Sequence, residues 1–293
     1  MRSTLNGNYT AIKYALNSSS CRLNELYLQA STGKKVNQAS DDPSAVTPMI
    51  TARSQISISD SYLENISSVQ DDIDILDGYL DTAGDILTRI KEISVASVNS
   101  TLSASDMESY ADEVALLKEE LLGIANAKVD GKYIFAGYSD RTQPFTESGG
   151  VITYNGTSDH IYVITGASHT TQTNLTGDEL FTNPVDVFTV ISDLEDALTA
   201  GDATAVKAQM DNIDAAAEQI SICRSHMGNI NAQLDDELSH YENLKLQMEE
   251  TLSQYEDADL VEVLSDVTAM ETAFQAALEV SSRVSQLSIL DYI

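Results

Sequence analysis

The chain has 293 residues, 46 of them acidic and 16 basic, which gives a formal net charge of −30. Proteins that bind nucleic acid need a basic face to displace counterions, so this charge argues against a nucleic-acid partner and against binding to an anionic membrane surface. Aromatic residues make up only 6% of the chain, and it contains four prolines. This composition is thin for a compact enzyme core and typical of long helices.

The amino-terminal stretch has no continuous apolar segment of the kind found in Sec signal peptides. No run in the sequence approaches the roughly 18–20 apolar residues that span a bilayer. We therefore expect a cytoplasmic protein or one exported by a route that does not use such a signal.

The first predicted helix carries a coiled-coil-like seam whose apolar residues alternate between spacings of four and three. The seam residues on this helix are Leu5, Tyr9, Ile12, Leu16, Leu23, Leu26 and Ala30. A second apolar face, formed by Tyr14, Cys21 and Leu28 at spacings of seven, lies on the opposite side. A helix with two apolar faces is not a simple surface helix, and we expect it to be sandwiched inside a bundle or between subunits.

The stretch from Ser31 to Ala45, which we call the corner, interrupts this rhythm with the sequence STGKKVNQASDDPSA. Read as a phosphate-binding P-loop, Gly33-Lys34 lacks the first glycine, because position 28 is Leu, and the Ser or Thr, because position 35 is Lys. The stretch also lacks the spaced oxygen ligands of a calcium loop. Gly33 suits the position after a helix end, and Asp42 followed by Pro43 suits a helix start. We interpret the stretch as a turn between two helices.

Helical periodicity continues from residue 44 to about residue 98, and Ser105 with Glu108 predicts a capping box for the next helix. The composition changes at Asp130-Gly131, where residues rich in Gly, Thr and Tyr begin. A hairpin is predicted around Asn155-Gly156. A short helix should follow from about Asp186 to Ala200.

The remainder of the sequence is again helical, and its last helix carries a second seam. The seam residues on this helix are Leu260, Val263, Val267, Met270, Phe274, Val284 and Leu287. Because seams lie at both ends of the chain, we expect the two terminal helices to pair with each other.

The predicted fold class is mainly α, an elongated antiparallel helical bundle or coiled coil built from both chain ends with a small central β-rich insertion. Residues 1–33 and 257–293 are assigned to a terminal coiled-coil domain. Residues 34–129 and 202–256 are assigned to a helical rod, and residues 130–201 to a β-rich outer domain with a short helix.

Motifs of catalysis are missing from the sequence. The four histidines form no HExxH motif or His/Cys cluster, and no nucleophile elbow is present. Cys21 and Cys223 have no metal-binding spacing, so free thiols are predicted, with a disulfide as the alternative. We expect no enzyme, no catalytic residues, no metal and no cofactor.

Three segments resemble one family. The segment LQASTGKKVNQASDDPSAV is similar to the corner near the amino terminus of bacterial flagellins, although Pro43 stands where the family usually has Ala. The ending that begins YEDADLVEVLSDV resembles the carboxy-terminal helix of the same superfamily. The segment DGKYIFAGYSDRTQPF and the final QLSILDYI resemble the family of flagellar hook–filament junction proteins.

The resemblance implies a structural protein of the bacterial flagellum, exported by the flagellar type III apparatus. Its terminal helices would face the axis of a hollow tube, with the rod outside them and the β module pointing outward. The implied partners are other copies of the chain in a ring, the preceding hook-associated protein, flagellin and an export chaperone. Ordering of the terminal helices on assembly is expected to discourage premature polymerisation.

Two alternatives remain at this stage. A short flagellin would form the filament itself. An acidic enzyme or ligand-binding module would have a saturable ligand, which no motif in the sequence suggests.

Overall fold

The computed structural model describes residues 2–98 and 103–290, with side chains described for residue 7 and for residues 9–98 and 103–283. Long helices lie at both ends of the chain and short strands lie in the middle, which confirms the predicted mainly α class. In chain order the elements are α1 (Arg2–Thr32), α2 (Pro43–Ser97), α3 (Ala104–Ala125), β1 (Lys128–Val129), β2 (Lys132–Tyr133), β3 (Phe145–Ser148), β4 (Val151–Tyr154), β5 (Tyr162–Gly166), β6 (His169–Gln172), a π-helical turn (Asp178–Thr182), α4 (Val187–Thr199), α5 (Ala203–Glu256) and α6 (Leu260–Leu290).

Residue contacts divide the described chain into two compact units. Unit 1 contains the described residues up to Ser59 and those from Asn243 onward, and unit 2 contains Asp60–Glu242. The helices α2 and α5 each contribute residues to both units. The three-part domain division drawn from the sequence uses other boundaries and stays a prediction.

Unit 2 is built on apolar stripes that repeat every seven residues along its long helices. On α2 the stripe contains Ile66, Ile73, Leu80 and Leu87, and on α5 it contains Ile213, Ile220, Met227 and Leu234. All eight side chains are buried in one shared core that also takes Val114 and Leu121 of α3. Helices of this length are stabilised mainly by burying such a face, since helix propensity alone contributes little.

Four of the five phenylalanines of the chain meet where the helices of unit 2 join its strands. Phe135, Phe145, Phe181 and Phe188 pack with ring centroids 5.4–6.0 Å apart. Edge-to-face and tilted contacts of this kind add stabilisation beyond the buried area. The scarce aromatic residues are therefore concentrated in one cluster that fixes the β strands to the helical core.

The strands form three two-stranded antiparallel hairpins, β1–β2, β3–β4 and β5–β6. The β1–β2 turn has positive φ at both Asp130 and Gly131, 51° and 80°. This is the backbone that a two-residue hairpin turn needs. The composition change noted at these two residues therefore marks the first hairpin.

The hairpin predicted around Asn155-Gly156 is wrong. β4 pairs backwards with β3 around Gly149 and Gly150, whose φ values of 63° and 84° supply the required left-handed backbone. Gly156 has no positive φ and instead lies under an aromatic ring, since a Cβ there would come within 2.3 Å of the Tyr154 hydroxyl oxygen. The Asn155-Gly156 pair therefore forms no hairpin turn, and its glycine allows the Tyr154 ring to pack closely.

The predicted capping box of α3 is displaced by two residues. Ser103, not Ser105, precedes the helix, and its hydroxyl accepts a hydrogen bond from the backbone N–H of Asp106 at 3.2 Å. The Asp106 carboxylate in turn accepts from the Ser103 N–H at 3.0 Å. The Ser103 hydroxyl donates to the same carboxylate at 2.7 Å, and this bond together with the one from the Ser103 N–H lowers the pKa of Asp106. Asp takes the role for which Glu108 was predicted.

The heptad core of unit 2 generates a matched pair of stability measurements on α3. Leu121 is fully buried, whereas Leu116 on the same helix is 66% exposed. Leu121→Ala should lower the free energy of unfolding by about 2–5 kcal/mol, because it removes buried methyl groups and leaves a cavity. Leu116→Ala should change it by less than about 0.5 kcal/mol. Urea unfolding followed by circular dichroism measures both, and equal losses would contradict this core.

Candidate assembly surface

Unit 1 pairs the two ends of the chain, since α1 packs along α6. Leu26 of α1 is buried against Val263 and Val267 of α6. The Tyr27 hydroxyl donates to the Glu271 carboxylate. Farther from the corner, Phe274 shares a groove with residues 9–17. Because later residues of α6 meet earlier residues of α1, the two helices run antiparallel.

The pairing of α1 with α6 buries some of the predicted seam residues and leaves others exposed. Leu26, Val263 and Val267 are buried, and Ile12, Leu16, Leu23, Met270 and Phe274 are half-buried. Tyr9 and Leu260 are exposed. Leu5, Val284 and Leu287 have side chains outside the described part of the structure. Close packing is thus seen near the corner, where Leu23 and Met270 also contact the buried group.

The described side chains of unit 1 leave the second predicted face of α1 uncovered. Tyr14 is 73% exposed, and Cys21 and Leu28 are also exposed. Large apolar side chains on the outer side of α6 are exposed as well, namely Val261, Leu264, Leu278 and Val280. Large apolar side chains exposed in this number on two paired helices make these surfaces candidates for an interaction site.

The two cysteines are free thiols, as predicted. Cys223 lies in unit 2, half-buried on α5. Burial raises the pKa of its thiol, and the nearby Glu179 carboxylate acts in the same direction. A thiol that is held protonated is a poor nucleophile, so Cys223 has the properties of a packing residue.

Gly33, Asp42 and Pro43 lie at the two ends of the corner. Gly33 follows the last residue of α1 with a φ of 72°, and its N–H donates to the Gln29 carbonyl at 2.9 Å. The Asp42 carboxylate accepts from the Ser44 N–H at 2.9 Å and from the Ser44 hydroxyl at 2.6 Å, and these bonds lower the pKa of Asp42. Pro43 is the first residue of α2.

Backbone hydrogen bonds fasten the corner to the break between α5 and α6. The Lys35 N–H donates to the Glu256 carbonyl at 2.7 Å, and the Ala258 N–H donates to the Gly33 carbonyl at 2.9 Å. The Lys35 ammonium group donates to the carbonyl of Gln254 at 2.6 Å. A short antiparallel bridge therefore joins the corner to the turn between α5 and α6, although more than 200 residues separate them in sequence.

A buried carboxylate lies at the centre of this bridge. Glu256 is only 3% exposed, and its carboxylate binds the ammonium of Lys34 and, at 2.7 Å, the guanidinium of Arg53 on α2. Burial alone would raise the pKa of Glu256, but the bonds from Lys34 and Arg53 outweigh it, so the pKa is lowered. We call Lys34, Arg53 and Glu256 the corner latch.

Sequence reasoning missed the corner latch. Glu256 lies in the charged segment YEDAD, which by itself indicates only a break between two helices. In a chain with 46 acidic residues, no local signal distinguishes the one that is buried. The usable signal was the scarcity of basic residues, since Lys34, Lys35 and Arg53 are three of only 16 and lie within 20 positions of each other.

The described residues contain neither a metal-binding group nor a membrane-spanning helix. In the part of the chain that the structure describes, no three His, Cys, Asp or Glu side chains are grouped so that they would hold a metal ion. None of the helices described over residues 2–98 and 103–290 has the length and apolarity to cross a bilayer.

The corner latch makes unit 1 sensitive to pH. Because the pKa of Glu256 is lowered in the folded state, its stabilisation is complete above the ordinary Glu pKa of about 4.3 and is lost as the pH falls through the lowered value. Glu256→Gln should lower the free energy of unfolding by about 1–3 kcal/mol at neutral pH, since both cations are half-exposed and lose one buried partner.

Denaturant unfolding of wild type and Glu256→Gln at several pH values measures this. The difference between them should shrink toward zero in acid. Glu250→Gln, an exposed position on the same helix, is the matched control and should differ little from wild type at any pH. A loss that is independent of pH would mean that the Glu256 charge is not the stabilising element.

Comparison with known proteins shows which family has sequence regions similar to those of this chain. Residues 4–140 match the bacterial flagellin N-terminal helical region, and residues 210–293 match the bacterial flagellin C-terminal helical region. Flagellar hook-associated protein 3 of Escherichia coli (strain K12) is 31% identical over 154 residues, which cover 52% of this chain and 48% of that protein. The chain spans about half the length of the first relatives it matches.

Solved structures share the fold. The flagellar hook associated protein-3 of Legionella pneumophila superposes with a TM-score of 0.63 at 18% identity, over 70% of this chain and 98% of that one. The flagellar junction protein FlgL of Legionella pneumophila gives a TM-score of 0.55 at 17% identity, over 63% and 98% of the two chains. The two flagellin regions together cover about three quarters of this sequence and include both α1 and α6. The chain therefore belongs to the bacterial flagellin family.

Proposed function

We propose that this chain is a structural protein of the bacterial flagellum that joins the hook to the filament. The observation that carries the proposal is the unequal coverage of the terminal helices, which are buried against each other near the corner and remain apolar and exposed elsewhere. Such a surface suits a subunit of a tube. A relative named flagellar hook-associated protein 3 and a neighbour described as a flagellar junction protein support the junction over the filament.

Assembly would cover the faces that a single copy leaves in water. In the proposed arrangement the terminal domain, residues 1–33 and 257–293, faces the axis of the tube and orders fully on polymerisation. The rod, residues 34–129 and 202–256, surrounds it, and the β-rich residues 130–201 point outward. Each apolar Å² removed from water contributes about 25 cal/mol, so several neighbours together offset the cost of ordering and association.

The partners of this proposal are other copies of the chain in a ring, the preceding hook-associated protein on one side and flagellin on the other. An export chaperone would cover the terminal helices before secretion by the flagellar type III system. The charge of −30 per copy opposes close packing, and salt screens it over about 8–10 Å. Ring formation should therefore be favoured by salt.

A short flagellin is the second candidate, because the family regions that match this chain are those of flagellin itself. It would polymerise into long filaments, whereas a junction protein forms a limited ring. An acidic enzyme or ligand-binding module is the alternative from a different class. The family is one of structural proteins, and the described residues contain no metal-binding group that would favour chemistry.

Deletion of the gene separates the two flagellar candidates. A cell that lacks a junction protein should build hooks without filaments and lose flagellin to the medium. Electron microscopy of the cell surface and immunoblotting of the supernatant measure these outcomes. If hooks carried filaments of normal length, the junction role would be wrong, and if the purified chain grew long filaments on salting-out, it would be a flagellin.

The seam of α1 can be tested by adding charge to it. Leu16→Glu with Leu23→Glu places two carboxylates on the side that faces α6, so filament attachment should fall at least tenfold because an unpaired charge is costly to bury. Ala11→Glu with Ser18→Glu is the matched control, since it adds the same charges at the same spacing on exposed positions outside the groove with Phe274. Counting filaments per cell in the complemented deletion strain measures both. Normal attachment in the seam variant would remove the seam from the mechanism.

A further inference from the structure

The corner encloses a pocket that the proposed tube contacts do not explain. The corner pocket has a volume of about 470 Å³ and lies within unit 1 between the corner and the first turns of α2. Val36 and Met49 give it an apolar floor, which is buried together with Ala45 against Leu252. Ile50 lies at its lining with 61% of its side chain exposed.

The charge of the corner pocket differs from that of the chain. Its lining contains two cations, Lys34 and Arg53, and one carboxylate, Glu256, which both cations share. The two carboxylates of the corner lie outside the lining and accept local N–H groups, Asp41 from Asn37 and Gln38 and Asp42 from Ser44. The carboxylate of Asp257 also lies outside the lining and accepts from the Ser253 hydroxyl. One positive charge in the pocket therefore has no carboxylate of its own, in a chain whose net charge is −30.

An occupant of matching chemistry is present on the same chain. Val261, at the start of α6, is 80% exposed and lies beside the exposed Glu262. Successive helix residues are rotated by about 100°, so Val261 points away from Val263, which packs on α1. Leu264, one turn later, widens this apolar surface and is also exposed.

The corner pocket and the exposed surface around Val261 and Leu264 are separate, because none of residues 260–264 lines the pocket. A contact between two different patches of identical chains is heterologous, and its repetition gives a ring or an open helix. One surface presents the apolar side chain of Val261 beside the Glu262 carboxylate, and the corner pocket presents cations and an apolar floor. Such charge complementarity fixes the register of a contact.

We propose that the corner pocket of one copy receives the Leu260–Leu264 segment of a second copy. Val261 fills the apolar floor, and Glu262 pairs with the charge that Lys34 and Arg53 share with Glu256. This rests on the proposed function in that copies must assemble side by side. It adds which segments meet and why a chain this acidic keeps Lys34 and Arg53 at one pocket.

A cross-linking experiment in intact flagella tests the contact. Ile50→Cys and Val261→Cys are made separately in a Cys21→Ser background and expressed together in the deletion strain. Isolated flagella are treated with oxidised glutathione, which takes up the two electrons as the thiols form a disulfide. We expect the mixed disulfide between positions 50 and 261 to exceed either homodimer at least tenfold. Ile58→Cys, exposed on the same helix but outside the pocket lining, is the control for Ile50→Cys and should give only background.

Charge exchange provides a second reading that does not depend on oxidation. Ile50→Glu places a carboxylate at the pocket mouth and should lower the amount of the chain in isolated flagella at least fivefold, and Glu262→Lys in the same chain should restore most of it. Ile58→Glu should have little effect. Failure of Glu262→Lys to restore incorporation, together with a missing mixed disulfide, would overturn the proposal.

The outcomes separate this proposal from the proposed function. If the chain is present in flagella but position 50 cross-links only to position 50 of another copy, the interface is isologous and the docking proposal is wrong while the function stands. If the chain is present and neither pair cross-links above background, the pocket holds some other segment or a small anion, and the proposal again fails. If the chain is missing from flagella of normally assembled wild-type cells, the proposed function fails.

Discussion

The terminal helices α1 and α6 carry more apolar surface than they can bury against each other. One side of each helix meets the other near the corner, where Leu26, Val263 and Val267 are removed from water. Tyr14, Cys21 and Leu28 lie on a different side of α1 and remain exposed. Since exposed apolar surface raises the free energy in proportion to its area, these described faces favour association, and they are where neighbours bind in the proposed assembly.

The corner latch controls how this paired surface is presented. Glu256 is the residue at which α5 ends, Lys34 belongs to the corner after α1, and Arg53 belongs to α2. One buried carboxylate therefore holds three chain segments together. The backbone hydrogen bonds of Lys35 and Ala258 also join the corner to the turn between α5 and α6, and they involve no charged group. A buried ion pair adds little net stability but is strongly destabilising when one partner is removed. Its effect here is to set the direction in which α1 and α6 leave the corner.

Sequence patterns predicted those features that repeat and missed those that depend on a single distant contact. The stripe of Ile66, Ile73, Leu80 and Leu87 was evident because one heptad residue after another must face the same core. The β3–β4 turn was misplaced because Asn155-Gly156 and Gly149-Gly150 carry similar local signals, and only the packing of Tyr154 over Gly156 separates them. Such a contact has no periodicity from which it could be inferred.

The candidate site divides in the same way. The two apolar faces of α1 were inferred from spacing, because a helix fixes the angle between residues seven apart. The partner of Lys34 was not inferred, since 222 positions separate it from Glu256 and the chain contains 45 other acidic residues. The apolar residues therefore form the exposed surface on which the proposed assembly depends, whereas the few basic residues distinguish one part of that surface. In the proposed contact, Lys34 and Arg53 give a neighbouring copy of this acidic chain one place where its carboxylate is attracted, which favours a single orientation.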